Sequence, residues 1–152
     1  MDDLISKIEL LNKMNFALVM ATLEKGKQLE SIKSNKLFLE FASHVKNWID
    51  FLKEIDLAYN DAEQLIGFYN LYKNTEEERL MEIPIKRLES IVKFKEYIPD
   101  IELMLDNASL PEKDWKDELN KLKGYRSYIE CNHEGNNEEW IRCCDCGRWT
   151  KV

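Results

Sequence analysis

Apolar residues recur three and four positions apart over most of this chain, which is the spacing of amphipathic α-helices. The first such segment begins at Asp2 and Asp3, which can cap it, and ends at the polar residues 34–35. Residues 16–23 are apolar on nearly every side, which predicts a buried central helix. Gly26 lies in the same segment at a cost of about 1 kcal/mol relative to alanine. It therefore indicates close packing against a neighbouring helix, or else a bend, and close packing is favoured.

Two further helices follow, separated by a short turn. The second is predicted over residues 36–54, and its inward face is expected to consist of Leu37, Phe38, Phe41, Val45, Trp48, Ile49 and Leu52. The third is predicted over residues 61–72, with Asn60 or Tyr59 as its cap. Residues 55–57 form the break between them. Helix, three-residue turn and helix together have the outline of a helix-turn-helix.

The helical pattern continues to Gly124 and then gives way to short β-strands. Helices are expected over residues 84–97, 100–106 and 109–124, the last with Gly124 as its C-cap. Strands are expected at residues 127–130, 139–142 and 148–152. We therefore predict a mainly α protein, in which residues 1–124 form a bundle of five or six helices and residues 125–152 form a small β module.

Composition agrees with this picture and limits the function. The 152 residues include 44% hydrophobic and 34% charged side chains, five glycines and three prolines, which suits helices with few turns. No apolar run is long enough to span a membrane. The net charge of −7 argues against strong sequence-independent binding to nucleic acid, because such binding depends on Lys and Arg at phosphates. A single basic face remains compatible with that charge.

All four cysteines and one of the two histidines fall within residues 131–146. Cys131 and His133 form one pair, and Cys143 and Cys146 form a second pair that Gly147 follows directly. Two such pairs joined by a hairpin suit a tetrahedral Zn²⁺ with four protein ligands, and a closed ligand set of this kind is structural. We therefore predict that residues 125–152 are a zinc ribbon.

Other chemistry for these thiols stays open. Cys144 can replace Cys143 as a ligand, although Cys143 gives the better spacing. A redox pair or a cluster without metal is the alternative to zinc, but redox pairs normally begin a helix within a βαβ pattern. Disulfides need an oxidising compartment. The start of the chain, residues 1–7, shows no signal peptide, so a cytoplasmic location is expected.

Residues 21–72 resemble a helical domain family of phage and plasmid proteins. The pattern of that family is a spaced Ala, Gly, Leu and Ile-Lys, then a Trp in an aromatic-rich helix, then Ala-x-x-Leu-Ile and a Tyr. The matching residues are Ala21, Gly26, Leu29, Ile32, Lys33, Trp48, Ala62, Leu65, Ile66 and Tyr69. The resemblance covers about a third of the chain. It implies DNA binding through a helix-turn-helix related to those of plasmid-partition proteins.

The residues that could contact nucleic acid are spread over several segments. Helix 61–72 and its cap offer Asn60, Gln64 and Asn70 to base edges, beside two acidic residues that oppose phosphates. Lysines cluster at residues 25–36 and 86–95, where Lys33 and Lys36 are the first candidates for a binding surface, but each cluster also suits an ordinary solvated face. The ribbon adds the candidates Arg142, Arg148 and Trp149, which could grip a nucleotide, cover a small core or dock a protein.

Two functions from different classes follow from these features. The first is a non-enzymatic, zinc-containing nucleic-acid-binding or regulatory protein of phage or mobile-element type, with DNA or RNA as its partner. The second is an acidic protein-interaction module or inhibitor, for example one encoded by a phage against a host nucleic-acid-binding protein. No P-loop or nucleophile elbow is present, so we expect no enzymatic activity.

Overall fold

The computed structural model describes residues 1–130, 140–142 and 149–151 of the chain. The first five helices are α1 (Asp2–Ser34), α2 (Trp48–Glu54), α3 (Tyr59–Tyr72), α4 (Glu77–Met81) and α5 (Ile85–Phe94). Two further helices, α6 (Ile101–Asn107) and α7 (Glu112–Glu130), and two strands, β1 (Trp140–Arg142) and β2 (Trp149–Lys151), follow. Short 3₁₀ helices cover Leu37–Glu40 and Lys95–Tyr97. The chain divides into two compact units, residues 1–93 and 94–152. The prediction of a mainly α protein is confirmed.

Helix α1 has the length that the sequence predicts. It ends where the backbone N–H of Asn35 bonds to the carbonyls of Ser31 and Lys33. Asp2 and Asp3 do not cap it, because Met1 is the N-cap and no side chain makes the capping bond. Both carboxylates instead lie in the first turn, where the helix dipole favours negative charge.

Gly26 allows α1 and α3 to approach closely. A Cβ added at Gly26 would overlap the carbonyl oxygen of Leu65 and would lie 2.7 Å from the Cβ of Tyr69. Real Cβ atoms essentially never come within 3.0 Å of such neighbours. The close packing expected for Gly26 is therefore confirmed, and it joins the two helices at the centre of the first unit.

The single helix predicted over residues 36–54 is wrong. The chain forms the 3₁₀ helix Leu37–Glu40, then turns, and α2 begins only after Asn47, whose Oδ1 accepts a hydrogen bond from the Asp50 N–H at 2.9 Å. Asparagine prefers this N-cap position to a helix interior because its side chain competes for backbone N–H groups. The broken path still buries an aromatic cluster, in which Trp48 lies 5.9 Å from Phe38 and 5.6 Å from Phe51 between ring centroids.

Which side chains of this segment point inward also differs from the prediction. Of the residues expected inside, Phe38, Val45, Trp48 and Leu52 are buried. Leu37, Phe41 and Ile49 are exposed. Phe51 is buried although the helical pattern did not place it inside. The difference follows from the break, because a turn between residues 41 and 47 changes the direction of the side chains before it relative to those of α2, so the two parts no longer share one inward face.

Helix α3 lies between α1 and α5. Its N-cap is Ala58 without a side-chain bond, so the caps predicted at Tyr59 or Asn60 are wrong. On the α5 side, the Tyr72 hydroxyl donates to the Leu88 carbonyl at 2.7 Å, and Gln64 Nε2 donates to the Glu89 carbonyl at 3.0 Å. Helix α3 is therefore the central helix of the unit, because it contacts α1 at Gly26 and is hydrogen-bonded to α5.

Asn15 joins α1 to the segment that leads into α5. Its Nδ2 donates to the Ile83 carbonyl at 2.9 Å, and its Oδ1 accepts from the Ile85 N–H at 2.9 Å. One partly buried amide thus satisfies a carbonyl and an N–H that lie at a helix start, where backbone donors lack intrahelical partners. Asn15 is also the first residue of α1 that is partly buried, so the contact of α1 with the other helices begins here.

In the second unit, α7 runs through Gly124 to Glu130. The C-cap predicted at Gly124 and the strand predicted at residues 127–130 are therefore wrong. The other two predicted strands are confirmed as β1 and β2, which pair antiparallel with Ile141 opposite Thr150. The division of the chain at residue 124 into a bundle and a zinc ribbon stays a prediction.

Candidate interaction surface on the first helix

The N-terminal part of α1 extends beyond the bundle. Every residue from Met1 to Met14 is exposed, and burial begins only at Asn15. Several of these exposed side chains are large and apolar. The side chains of Leu4, Leu11, Met14 and Leu18 are exposed by 61%, 64%, 56% and 56%. Residues 16–23 are therefore not buried on all sides, contrary to the prediction of a buried central helix.

These side chains form one row, which we call the α1 seam: Leu4, Lys7, Leu11, Met14, Leu18 and Ala21. The positions alternate by three and four residues, which is the a and d spacing of a coiled coil. All six are exposed. Apart from Lys7, which pairs with Asp3 at 2.6 Å, the row is uncharged.

The α1 seam is separate from the face that packs into the bundle. That face contains Val19, Gly26 and Leu29, all of them buried. Successive residues of an α-helix are about 100° apart, so the neighbours Leu18 and Val19 point in clearly different directions. Helix α1 therefore has two apolar faces, of which the structure covers one.

A groove of about 560 Å³ continues the α1 seam towards the C-terminal end of the helix. One wall is formed by residues of α1, and the other by Ile55, Leu57 and Leu65. The α1 residues in that wall are Ala21, Glu24, Lys25, Gln28 and Leu29. Ala21 is the last residue of the α1 seam, and Lys25 and Gln28 extend the same spacing by one heptad. The row and the groove are thus one continuous surface.

Two candidates for nucleic-acid contact make internal contacts. Lys33 Nζ lies 2.5 Å from Glu63 Oε1 and 5.7 Å from the centre of the Trp48 ring. Gln64 donates to the Glu89 carbonyl, as described above. Lys36 is exposed and has a left-handed backbone with φ of 54° at the start of the first 3₁₀ helix. Of Lys33, Gln64 and Lys36, only Lys36 is exposed.

The outline of a helix-turn-helix is present, but its second helix is not a projecting one. Helix α3 buries Ala62, Ile66, Gly67, Phe68 and Tyr72. Asn60 and Asn70 remain exposed at its two ends. A recognition helix needs a face that enters the major groove, whereas α3 has α1 on one side and α5 on another.

The predicted metal ligands Cys131, His133, Cys143 and Cys146 lie outside the described residues, and so does Arg148. The backbone of the hairpin is described, and its register places Arg142 directly opposite Trp149. Among the residues that the structure describes, no group of three or more His, Cys, Asp or Glu side chains could hold a metal ion. The zinc site stays a prediction.

No family model matches the chain, and comparisons with curated proteins and with solved structures found no similar protein. Within the described residues, no helix combines the length and the apolar character needed to cross a membrane. The sequence did contain a signal for the α1 seam, namely the seven-residue spacing of Leu4, Leu11 and Leu18. Of these three residues, only Leu18 lies in the segment 16–23 that was predicted to be buried.

Proposed function

We propose that this protein is a non-enzymatic interaction module that docks a protein partner through the α1 seam. The observation that supports the proposal is the row Leu4, Leu11, Met14 and Leu18, in which each side chain is more than half exposed on a regular helix. Contiguous apolar patches of a few hundred Å² on soluble proteins commonly mark interaction sites. The acidic protein-interaction module expected from the sequence is the closer of the two hypotheses to this surface.

The size of the surface supports the same proposal. Covering a leucine or methionine side chain removes on the order of 100 Å² from water, at about 25 cal/mol per Å². The four large apolar side chains of the α1 seam therefore represent a patch of about 400 Å², which is at the size where patches on monomers are often functional. Ile8 and Leu10, which flank the row, are 47% and 57% exposed and enlarge it.

Photo-crosslinking tests the docking proposal directly. A benzophenone amino acid would replace Leu11 in the α1 seam or, as the matched control, Leu103 of α6, which is a helical leucine with 55% exposure. In the cells of origin, we expect a protein adduct at position 11 and none at position 103. Equal labelling at both positions, or no protein adduct at position 11, would show that the α1 seam is not a docking surface.

Nucleic-acid binding is a second proposal, supported by the register that sets Arg142 opposite Trp149 in the hairpin. Residues of these two types can together hold a nucleotide, arginine by its phosphate and tryptophan by its base. Fluorescence anisotropy with short single- and double-stranded DNA and RNA at two salt concentrations tests this. Binding that weakens steeply with salt supports it. Absence of binding at low salt by the folded protein would refute it.

We also propose that Cys131, His133, Cys143 and Cys146 hold a structural Zn²⁺. Three thiolates and one imidazole are a ligand set that zinc prefers, and four protein ligands leave no position for a reacting water. Native mass spectrometry of the intact chain should show one zinc per molecule. The Cys146→Ser variant should lose it, whereas Cys144→Ser should retain it. Loss of zinc in Cys144→Ser would contradict the assignment of ligands.

A further inference from the structure

We infer that the partner on the α1 seam is a second copy of this chain, paired antiparallel with the first through α1. The inference rests on the proposed docking function and names its partner. Four features of the described residues support it: the heptad spacing of the α1 seam, the positions of Lys7 and Lys25, the groove at the end of the α1 seam, and the apolar area that the pair would cover.

The α1 seam is complementary to itself in one antiparallel register. With a two-fold axis between residues 12 and 13, Leu11 meets Met14 of the second copy, and Leu4 meets Ala21. Lys7 meets Leu18 of the second copy, over which its aliphatic stem can lie while the ammonium group reaches water. Each layer then combines an a position with a d position, as antiparallel helix pairs require. The six residues of the α1 seam all take part.

The lysines argue against the parallel arrangement. In a parallel pair, each residue meets its own counterpart, so Lys7 would face Lys7 and Lys25 would face Lys25. Like charges at facing positions of a helix pair are unfavourable, and charged or polar side chains at such positions decide register and orientation. The antiparallel register separates both pairs of lysines. It also brings the acidic first turn, Asp2 and Asp3, alongside Lys25 of the second copy.

The groove beside Ala21 fits this arrangement. In the antiparallel register, the first turn of the second copy lies next to Ala21 and Lys25, where Ile55 and Leu57 form the facing wall of the groove. Met1 and Leu4 of the second copy are then covered by α1 on one side and by the turn after α2 on the other. Glu24, which also lines the groove, is hydrogen-bonded to Gln28 at 2.6 Å. By symmetry, both grooves are filled at once.

The area is sufficient for a stable pair. Leu4, Ile8, Leu10, Leu11, Met14 and Leu18 each expose about half of their surface or more. At about 100 Å² for each side chain, the two copies together cover on the order of 1,200 Å² before the groove is counted. Specific protein interfaces bury a total of about 1,200 Å² of surface or more. The α1 seam spans 18 residues, from Leu4 to Ala21, which at 1.5 Å per residue gives a length of about 27 Å, or five helical turns.

Sedimentation equilibrium of the full chain tests the self-pairing. We expect a concentration-dependent species of twice the chain mass of 18.1 kDa. Leu11→Glu should weaken the dimer at least tenfold, because it places two carboxylates, one from each copy, in the central apolar layers that Leu11 forms with Met14 of the second copy. The matched control Leu103→Glu should leave the dimer unchanged, and circular dichroism should show both variants folded. A dimer that Leu11→Glu does not weaken would overturn the inference.

The position of a crosslink decides the orientation. A benzophenone group in place of Leu4 should attach to residues 18–25 of the second copy in the antiparallel pair. Attachment to residues 1–8 would overturn the antiparallel arrangement. A chain that stays monomeric up to 100-fold above its cellular concentration would overturn the self-pairing altogether. In that case, a protein adduct at position 11 in cells would leave the docking proposal standing with another partner, and the absence of such an adduct would refute both.

Discussion

Replacing Gly26 by alanine tests whether the contact between α1 and α3 organises the first unit. Alanine is normally the better helix residue, by about 1 kcal/mol relative to glycine. At this position, however, the added Cβ would overlap the Leu65 carbonyl oxygen and lie 2.7 Å from Tyr69 Cβ. Neither atom is the end of a flexible side chain. The clash can be relieved only if the two helices move apart.

The expected magnitude follows from these two opposing effects. Overpacking a well-packed interior costs about 1–3 kcal/mol, and a clash with backbone belongs at the upper end of that range. Subtracting the gain of about 1 kcal/mol in helix propensity leaves a net loss of about 2 kcal/mol in the free energy of unfolding. The loss should be larger for Gly26→Val, because a branched side chain adds two more atoms to the same space.

Urea unfolding followed by circular dichroism measures this, since a shift of the midpoint at constant slope reports a change in stability. The control is the exposed neighbour Lys27, where the alanine variant should be more stable than the glycine variant by about 1 kcal/mol. The sign of the glycine-to-alanine change should therefore be opposite at the two neighbouring positions. A Gly26→Ala variant that is as stable as the parent would refute the close packing.

Three further expectations concern other parts of the chain. Tyr72→Phe should lower the free energy of unfolding by about 1 kcal/mol, because it removes the hydroxyl that donates to the Leu88 carbonyl. Burial raises the pKa of Tyr72, so the parent's stability advantage over the variant should shrink as the pH rises past the ordinary tyrosine value of about 10. Urea titrations at pH 8 and pH 11 measure this advantage, and the same difference at both pH values would contradict the expectation. Asn15→Ala should cost about 1–3 kcal/mol, since it leaves the Ile83 carbonyl and the Ile85 N–H without their partner, whereas Asn12→Ala at an exposed position should be nearly neutral in the same thermal scan. Removing zinc with a chelator should change hydrogen exchange in residues 125–152 and leave residues 1–93 protected, because metal binding stabilises only what it organises; global unfolding would contradict the two-part architecture.

Local features of the chain were predictable from sequence where a single residue type decides them. The end of α1 at Ser34 was predicted from the polar residues 34–35. The close contact at Gly26 was favoured over a bend because a glycine within a helix costs about 1 kcal/mol relative to alanine. The break between Glu40 and Trp48 was missed because the apolar spacing runs through it without interruption. There, the side-chain cap at Asn47 competes with continued helix, and only the burial of the aromatic cluster decides between the two.

The α1 seam was harder to predict for a different reason. Leu4, Leu11 and Leu18 have the same spacing as residues that face a core, so periodicity alone cannot tell a core face from an interaction face. The rotation of α1 about its axis is set by contacts between residues far apart in sequence. Gly26 against Leu65 and Asn15 against Ile83 fix that rotation and turn the α1 seam outward.

The adjacent residues Leu18 and Val19 allow the two faces of α1 to be separated by experiment. Val19 is fully buried, whereas Leu18 is 56% exposed. Val19→Asp would bury a carboxylate without a partner, at a cost of several kcal/mol, so we expect the bundle to unfold. Leu18→Asp should keep the helical circular dichroism signal and the thermal midpoint of the monomer but weaken self-association in sedimentation equilibrium. If Leu18→Asp unfolded the protein as Val19→Asp does, the α1 seam would belong to the core. Both the docking proposal and the antiparallel pair would then be refuted.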